Sequence, residues 1–342
     1  MNIFDASTPE ITDDILKEIQ NLEVEHLGGG VVKFGNTCTV DPSFLSWVDD
    51  NASEAFEQNW TYETDEDGNT YALNIDRNKF SLEQVKMVPT RLLQPVKHDT
   101  PQDIVDIFQH YEATIYKCLI RYIDMFPLVL GTIWWRSRGH VLHYDPGSFL
   151  GVHNDNDANY RALDGQRFIP HAQNGSRQTL AIILYLNNGI KDLEELDDTN
   201  YLGGEITFPY LDIEHQGQTG DVLIFPSNFM ASHGVNTVIE GTRYSYLEFL
   251  SHGSPSPEVM VEVFEPDEIK AWCEPHWLMS IYEDYEKYAL HVQRNSSDRS
   301  ITDAPNPVFQ NRSLEGEVGL KKAYYHEDVV GQNLERGHLS RD

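Results

Sequence analysis

This chain is short of cations for its anions, and short of cysteine. Against 55 acidic residues stand 25 lysines and arginines, for a net charge of −30. A surface of that sign repels phosphate backbones and anionic bilayers, which sets aside nucleic acid and membranes as partners. The charge itself reads as solubilising. The three cysteines, Cys38, Cys118 and Cys273, are far apart and form no CxxC pair. Neither a disulfide framework nor a zinc ribbon is indicated, and a reducing, cytoplasmic setting is expected. The longest apolar run, Phe126 to Trp135, is too short to cross a bilayer. The opening MNIFDASTPEITDD has no basic n-region and no apolar h-region, so it does not read as a secretory signal. No internal repeat or low-complexity segment is present.

What the chain does have is apolar residues at 40% and aromatics at 11%, enough for a sizeable core in 342 residues. The first part reads as mixed α/β. Ile11, Ile15, Ile19 and Leu22 predict a helix starting at Thr8-Pro9-Glu10, and Pro42 to Phe56 predicts a second, with Phe44, Trp47 and Phe56 on its buried face. Asp65 to Asn69 reads as a turn between two short strands. Pro101 to Met125 carries the strongest helical stripe, running from Ile104 to Tyr122, and packing on a sheet explains it. From about residue 130 the pattern changes to strands: Gly139–Tyr144, Arg177–Asn187, Glu205–Tyr210, Asp221–Phe225, His233–Val238 and Thr242–Leu250. Strands at this spacing predict a sandwich or barrel rather than βαβ units. The acidic stretch Lys191 to Asp198 reads as a solvated loop, Pro266 to Val292 as one or two helices, and the chain after Arg294 as a polar tail. The expected division is an α/β support region over 1–129, a β core over 130–253, and a helical extension with tail over 254–342.

Chemistry first shows in Tyr144-Asp-Pro-Gly-Ser-Phe-Leu-Gly-Val-His153-Asn-Asp155. His153 and Asp155, two positions apart, lie on one side of an extended segment and offer an imidazole and a carboxylate to one divalent ion. A calcium loop from Asp155 is rejected, because its sixth and twelfth positions hold Tyr160 and Gln166 where Gly and Glu are needed. His233, 80 residues beyond His153, is the third candidate ligand. Two histidines and a carboxylate on one face of a metal leave positions open for substrate and dioxygen, as in non-haem Fe(II) sites. With 14 histidines in the chain, His233 alone would be unremarkable. Arg243, ten residues on, gives it weight. Alternation puts Arg243, Ser245, Leu247 and Phe249 on one face of a strand, and if that face looks inward a buried guanidinium requires an anion. A dicarboxylate cosubstrate, one end on the metal and the other on Arg243 with Ser245 assisting, satisfies it. An internal Asp or Glu would satisfy it equally well.

The ordered set Tyr144, Gly147, His153, Asp155, then Tyr185-Leu-Asn187, Gly203-Gly-Glu-Ile-Thr-Phe-Pro209, Gly220-Asp-Val-Leu-Ile-Phe225, His233 and Arg243 resembles the 2-oxoglutarate/Fe(II)-dependent dioxygenases, in particular their prolyl 4-hydroxylase-like branch. The resemblance covers about a third of the chain. It implies a mainly β fold with α additions: a double-stranded β-helix (jelly roll) core flanked by N-terminal and C-terminal helices. It implies Fe(II) held by His153, Asp155 and His233, with 2-oxoglutarate and O2 as cosubstrates and ascorbate as reductant. Arg243 and Ser245 would bind 2-oxoglutarate, with Tyr144 and Thr179 near it. Leu150 replaces the second Tyr of the branch, and Arg243-x-Ser245 is the form common in small-molecule oxygenases. Asp155, a carboxylate, argues against a halogenase. The expected activity is hydroxylation of a free amino acid or other small molecule, with release of succinate and CO2. The alternatives are a peptidyl-prolyl or other protein hydroxylase and a non-enzymatic jelly-roll binding module. The 156–173 loop, with Arg161, Arg167 and His171, is a candidate wall for the substrate, although such residues are more often solvated.

Overall fold

The computed structural model describes residues 8–74, 79–93, 100–133, 135–136, 139–156, 178–251, 276–277 and 281–295. In chain order these form α1 (Asp13–Asn21), β1 (Glu23–Gly28), β2 (Val31–Gly35), α2 (Pro42–Gln58), β3 (Thr61–Thr64), β4 (Thr70–Leu73), β5 (Lys79–Ser81), α3 (Leu82–Val85), β6 (Thr90–Leu93) and α4 (Gln102–Met125). Then follow β7 (Trp135–Arg136), β8 (His140–Tyr144), β9 (Leu150–His153), β10 (Gln178–Tyr185), β11 (Asn188–Ile190), β12 (Asn200–Gly203), β13 (Ile206–Phe208) and β14 (Ile213–His215). The remainder are β15 (Val222–Pro226), β16 (His233–Val235), β17 (Val238–Gly241), β18 (Arg243–Ser251), β19 (His276–Trp277) and α5 (Ile281–Asn295). Among the described residues no helix is long and apolar enough to cross a membrane, and Cys38 and Cys118 are free thiols.

The fold is mainly β: a double-stranded β-helix with helices on one side. Its large sheet runs β1-β2-β15-β10-β18-β7-β19, with β8 also paired to β18 and β6 beyond β8. A smaller sheet, β14-β13-β16-β9, faces it. Strand β10 explains the sandwich. Its Leu180, Ile182 and Leu184 pack with α4 residues such as Phe108, Ile115 and Leu119. Its Ala181, Ile183 and Tyr185 pack inward against Ile206 and Phe208 of the smaller sheet. A strand covered on both faces must be apolar on both, which is why 180–186 reads as an unbroken apolar run.

Most elements fall where periodicity placed them, and the differences have local causes. Helix α1 begins at Asp13, because Thr12 takes the N-cap position and accepts a bond from the Ile15 amide. Leu16 and Ile19 then face the core, and Ile11 lies outside the helix. The segment 233–238 is two strands, β16 and β17, that belong to different sheets. The N-terminal region adds β1, β2 and β6 to the large sheet itself. Lys191 to Asp198 is exposed apart from the half-buried Leu196, as expected of a solvated loop. Of the C-terminal expectations, α5 packs on α4, with the Tyr116 hydroxyl donating to Asp284 at 2.8 Å. The segment 252–275 and the chain after 295 lie outside the described residues, as do Trp134 and Cys273.

Candidate metal and anion site

Two strand ends meet at one point. His153 closes β9 and His233 opens β16, and the antiparallel register sets them directly opposite each other. Their ring centroids are 4.5 Å apart. A short 3-10 turn at Phe229–Ala231, capped by the Asn228 side chain, delivers the chain into β16 at His233. Asp155, two residues past His153, turns its carboxylate between the rings, at 3.4 Å from His153 Nε2 and 3.8 Å from His233 Nε2. One ligand atom from each of the three residues lies within 4.8 Å of the others.

The protonation pattern suits a cation. His153 Nδ1 is 2.8 Å from the Gly151 carbonyl and His233 Nδ1 is 3.1 Å from the Ala231 carbonyl. A carbonyl can only accept, so each Nδ1 carries its hydrogen and leaves Nε2 as a bare donor atom turned to the cluster. Burial depresses the His233 imidazole, which keeps it neutral. Burial pushes the Asp155 carboxyl up, but His233 and His153 outweigh it, and the net shift is below the usual carboxylate range. Asp155 Oδ2 is buried and has no hydrogen-bond partner among the described residues. Burial lowers the His153 imidazole too, but Asp155 and the Gly151 carbonyl outweigh it and the net shift is upward, so Asp155 holds a proton on His153 that a cation would displace. Two imidazoles and a carboxylate with an orphaned oxygen fit a divalent transition metal such as Fe(II).

Arg243 lies in the same cavity. Its strand, β18, points Arg243 and Ser245 inward, as alternation predicts, and both are fully buried. Arg243 Nη1 donates to Ser245 Oγ at 3.2 Å. The guanidinium lies 4.7 Å from the Tyr144 ring centroid and 5.3 Å from that of Tyr185. Gly204, at φ +68°, makes room for it, since a Cβ there would sit 3.0 Å from Arg243 Cδ. Arg243 forms no ion pair with any described carboxylate, and its Nε and Nη2 have no hydrogen-bond partner among the described residues. The hydroxyls of Tyr185 and Tyr201 are buried close enough to feel the Arg243 charge, but make no well-formed hydrogen bond among the described residues. Buried donors left unpaired are costly, and a carboxylate arriving there resolves several at once.

His153, Asp155, His233, Arg243, Ser245 and Tyr144 all line one cavity of about 460 Å³. Thr179 does not. A register shift between Gln178 and Leu180 turns Gln178 to the cavity, and the Thr179 hydroxyl instead donates to the Thr132 carbonyl at 3.0 Å. The opposite wall comes from the N-terminal region: Asn74, Phe80, Gln84, Met87, Val88, Pro89 and Arg91. Sequence reading missed these residues. Arg91 had a weak signal, the strand-like Thr90-Arg-Leu-Leu93, but nothing in it revealed pairing with β8. Of the residues expected to meet substrate from the 156–173 loop, Arg161, Arg167 and His171 lie outside the described residues.

No curated protein matches the chain. Among solved structures it is similar to the viral collagen prolyl hydroxylase of Paramecium Bursaria Chlorella virus-1 in complex with 2OG, at 12% identity and TM-score 0.38, over 66% of this chain and 98% of that one. It is similar to a prolyl-4-hydroxylase of Pseudomonas putida at 15% identity and TM-score 0.36, over 70% of this chain and 98% of that one. It is also similar to a Trichoplax adhaerens prolyl hydroxylase in complex with a hypoxia inducible factor oxygen degradation domain peptide fragment, at 12% identity and TM-score 0.38, over 70% and 87%. The model of the 2OG-Fe(II) oxygenase superfamily matches residues 139–251, the stretch that contains all three candidate ligands and Arg243. Over those residues, about a third of the chain, the protein is similar to the 2OG-Fe(II) oxygenases, a superfamily that uses Fe(II), 2-oxoglutarate and O2.

Proposed function

We propose that this protein hydroxylates a free amino acid or another small molecule, with His153, Asp155 and His233 holding iron and Arg243 holding 2-oxoglutarate. The observation that carries the reading is the buried, carboxylate-free Arg243 opening into the same cavity as the three ligands. Fe(II) with 2-oxoglutarate and O2 supplies an oxidative decarboxylation to succinate and CO2, coupled to insertion of one oxygen atom into a substrate C–H bond.

The chain's own residues do the rest. The carbonyls of Gly151 and Ala231 fix the two imidazoles in the tautomer that leaves Nε2 free. Arg243 and Ser245 offer directional donors to the far carboxylate of the cosubstrate, with Tyr144 packed beneath the guanidinium. Leu142, Leu247 and Phe249 line the cavity with apolar surface, which limits water around the reacting atoms. A cavity of about 460 Å³ is the size of small-molecule sites and leaves space beyond a five-carbon dicarboxylate.

A protein substrate is the second reading. It is favoured by Phe149 and Val152, which flank the His153 segment and are 42% and 63% exposed, apolar surface that a peptide would cover. The experiment that separates the readings is succinate formation from Fe(II) and 2-oxoglutarate, with free amino acids and peptides added in parallel. Stimulation by a free compound supports the first reading, and stimulation by peptides alone replaces it with the second. Retention of turnover by His153→Ala removes the iron assignment.

A further inference from the structure

Arg91 is a second cation in the cavity, and nothing assigned so far uses it. It lies on β6, whose pairing with β8 sets Arg91 opposite Leu142, while β8 pairing with β18 sets Leu142 opposite Ser245. Directly opposed residues of antiparallel strands project to the same face. Arg91, Leu142 and Ser245 therefore form one row across the inner face, and all three line the cavity. Two strand spacings put the Arg91 backbone roughly 10 Å from that of Ser245. Arg91 thus stands apart from the carboxylate position that Arg243 and Ser245 define, but borders the same space.

Its backbone is held on both sides. The Arg91 amide donates to Asn59 Oδ1 at 2.9 Å, and Asn59 Nδ2 donates to the Arg91 carbonyl at 3.1 Å. Asn59 is the C-cap of α2, so a helix end fixes where the Arg91 side chain starts. The guanidinium is half-buried and makes no ion pair or side-chain hydrogen bond with any described residue. In a chain with 55 acidic residues against 25 basic ones, an arginine lining a cavity without a carboxylate partner is a notable exception.

Resting on the oxygenase reading of the site, we propose that Arg91 receives a carboxylate of the primary substrate, so that the substrate class is a small organic acid or a free amino acid with its carboxylate unblocked. The planar guanidinium suits a bidentate carboxylate. Held there, the substrate would share one cavity with His153, Asp155 and His233. A residue inside a peptide chain has no backbone carboxylate to offer.

The probes are free L-amino acids and short organic acids, each paired with its carboxamide. Two readouts are taken on the full chain: binding by anaerobic calorimetry to protein loaded with Fe(II) and 2-oxoglutarate, and succinate formation in air. At least one acid should bind and stimulate turnover, with its amide weaker by roughly 30-fold or more in Kd and KM. Arg91→Gln should weaken the acid to the level of its amide, and Arg91→Lys should recover part of the difference. Equal binding of acid and amide overturns the proposal, as does the absence of binding by any acid or stimulation only by peptides blocked at both ends. A fall in 2-oxoglutarate affinity in Arg91→Gln equal to that in Arg243→Met reassigns Arg91 to the cosubstrate and also overturns it. A wild-type protein that binds no 2-oxoglutarate with Fe(II) removes the oxygenase reading instead, an outcome visible before any acid is added.

Discussion

On the helix-facing side of β18, Glu248 accepts two hydrogen bonds from Arg136, at 2.8 Å from Nε and 2.6 Å from Nη2, and Glu112 of α4 lies 3.8 Å from the same guanidinium. On the inner side of the strand, Arg243 has a serine hydroxyl, two tyrosine rings and no carboxylate among the described residues. Both arginines are fully buried. Neither can shed its proton near neutral pH, so both need an anion. Arg136 has that anion within the chain, which marks it as a fixed structural pair between sheet and helix. Arg243 has none among the described residues, and the proposed cosubstrate would supply it. Burial alone does not distinguish the two roles, whereas the partner does.

The sharpest way to break this comparison is to remove each arginine in turn. Arg243→Met should lower 2-oxoglutarate affinity by roughly 30-fold or more, the cost of truncating one side of a buried charge pair, read by calorimetry with Fe(II) present and oxygen absent. Arg136→Met should lower folding stability by about 3–5 kcal/mol, because Glu248 is left buried without its partner, read by denaturant unfolding. The two variants should not exchange phenotypes. Replacing the whole cluster, Arg136→Met with Glu248→Leu and Glu112→Leu, should return most of the lost stability, since a buried ionic triad exchanged for apolar side chains is often neutral or stabilising. Arg243 admits no such compensation for cosubstrate binding. A smaller effect is expected from ligand-linked stability. At 100 times its Kd, 2-oxoglutarate with Fe(II) should stabilise the wild type by about 2.7 kcal/mol and should do so far less in Arg243→Met.

The smallest effect concerns His215, also on the inner side. Burial first, then Lys33 and Arg243, push its imidazole down to about 4 from an ordinary 6.5, against the opposing charge of Glu25. The unfolded chain takes up this proton at the higher pH and the folded chain does not. Stability therefore falls as pH drops from 6.5 towards 4, and the loss from this group is complete once pH is below its folded value. His215→Gln should flatten the thermal midpoint over that window.

Much of the candidate site was legible in the sequence because its signals are local. His153 and Asp155 share a strand end, and Arg243 and Ser245 share one face of a strand, so spacing alone orders them. The third candidate ligand, His233, 80 residues beyond His153, needed the ordered set of motifs around it. What stayed hidden depends on pairing between distant strands. Arg91 reaches the cavity only because β6 adds to β8, and Tyr201 comes within range of Arg243 only because Gly204 lets the two approach. Thr179 shows the converse. The resemblance placed it near the cosubstrate, but across a register shift in β10 it is Gln178 that lines the cavity. Register is set by the partner strand, which a single segment does not encode.

The most direct measurement is an anaerobic titration of 2-oxoglutarate into wild-type protein, His153→Ala and Arg243→Met, each with and without Fe(II). One equivalent should bind to the wild type, tightly only with Fe(II), with affinity lost in both variants. Binding that ignores Fe(II), or that survives both substitutions, contradicts a cosubstrate held between the His153–Asp155–His233 cluster and Arg243.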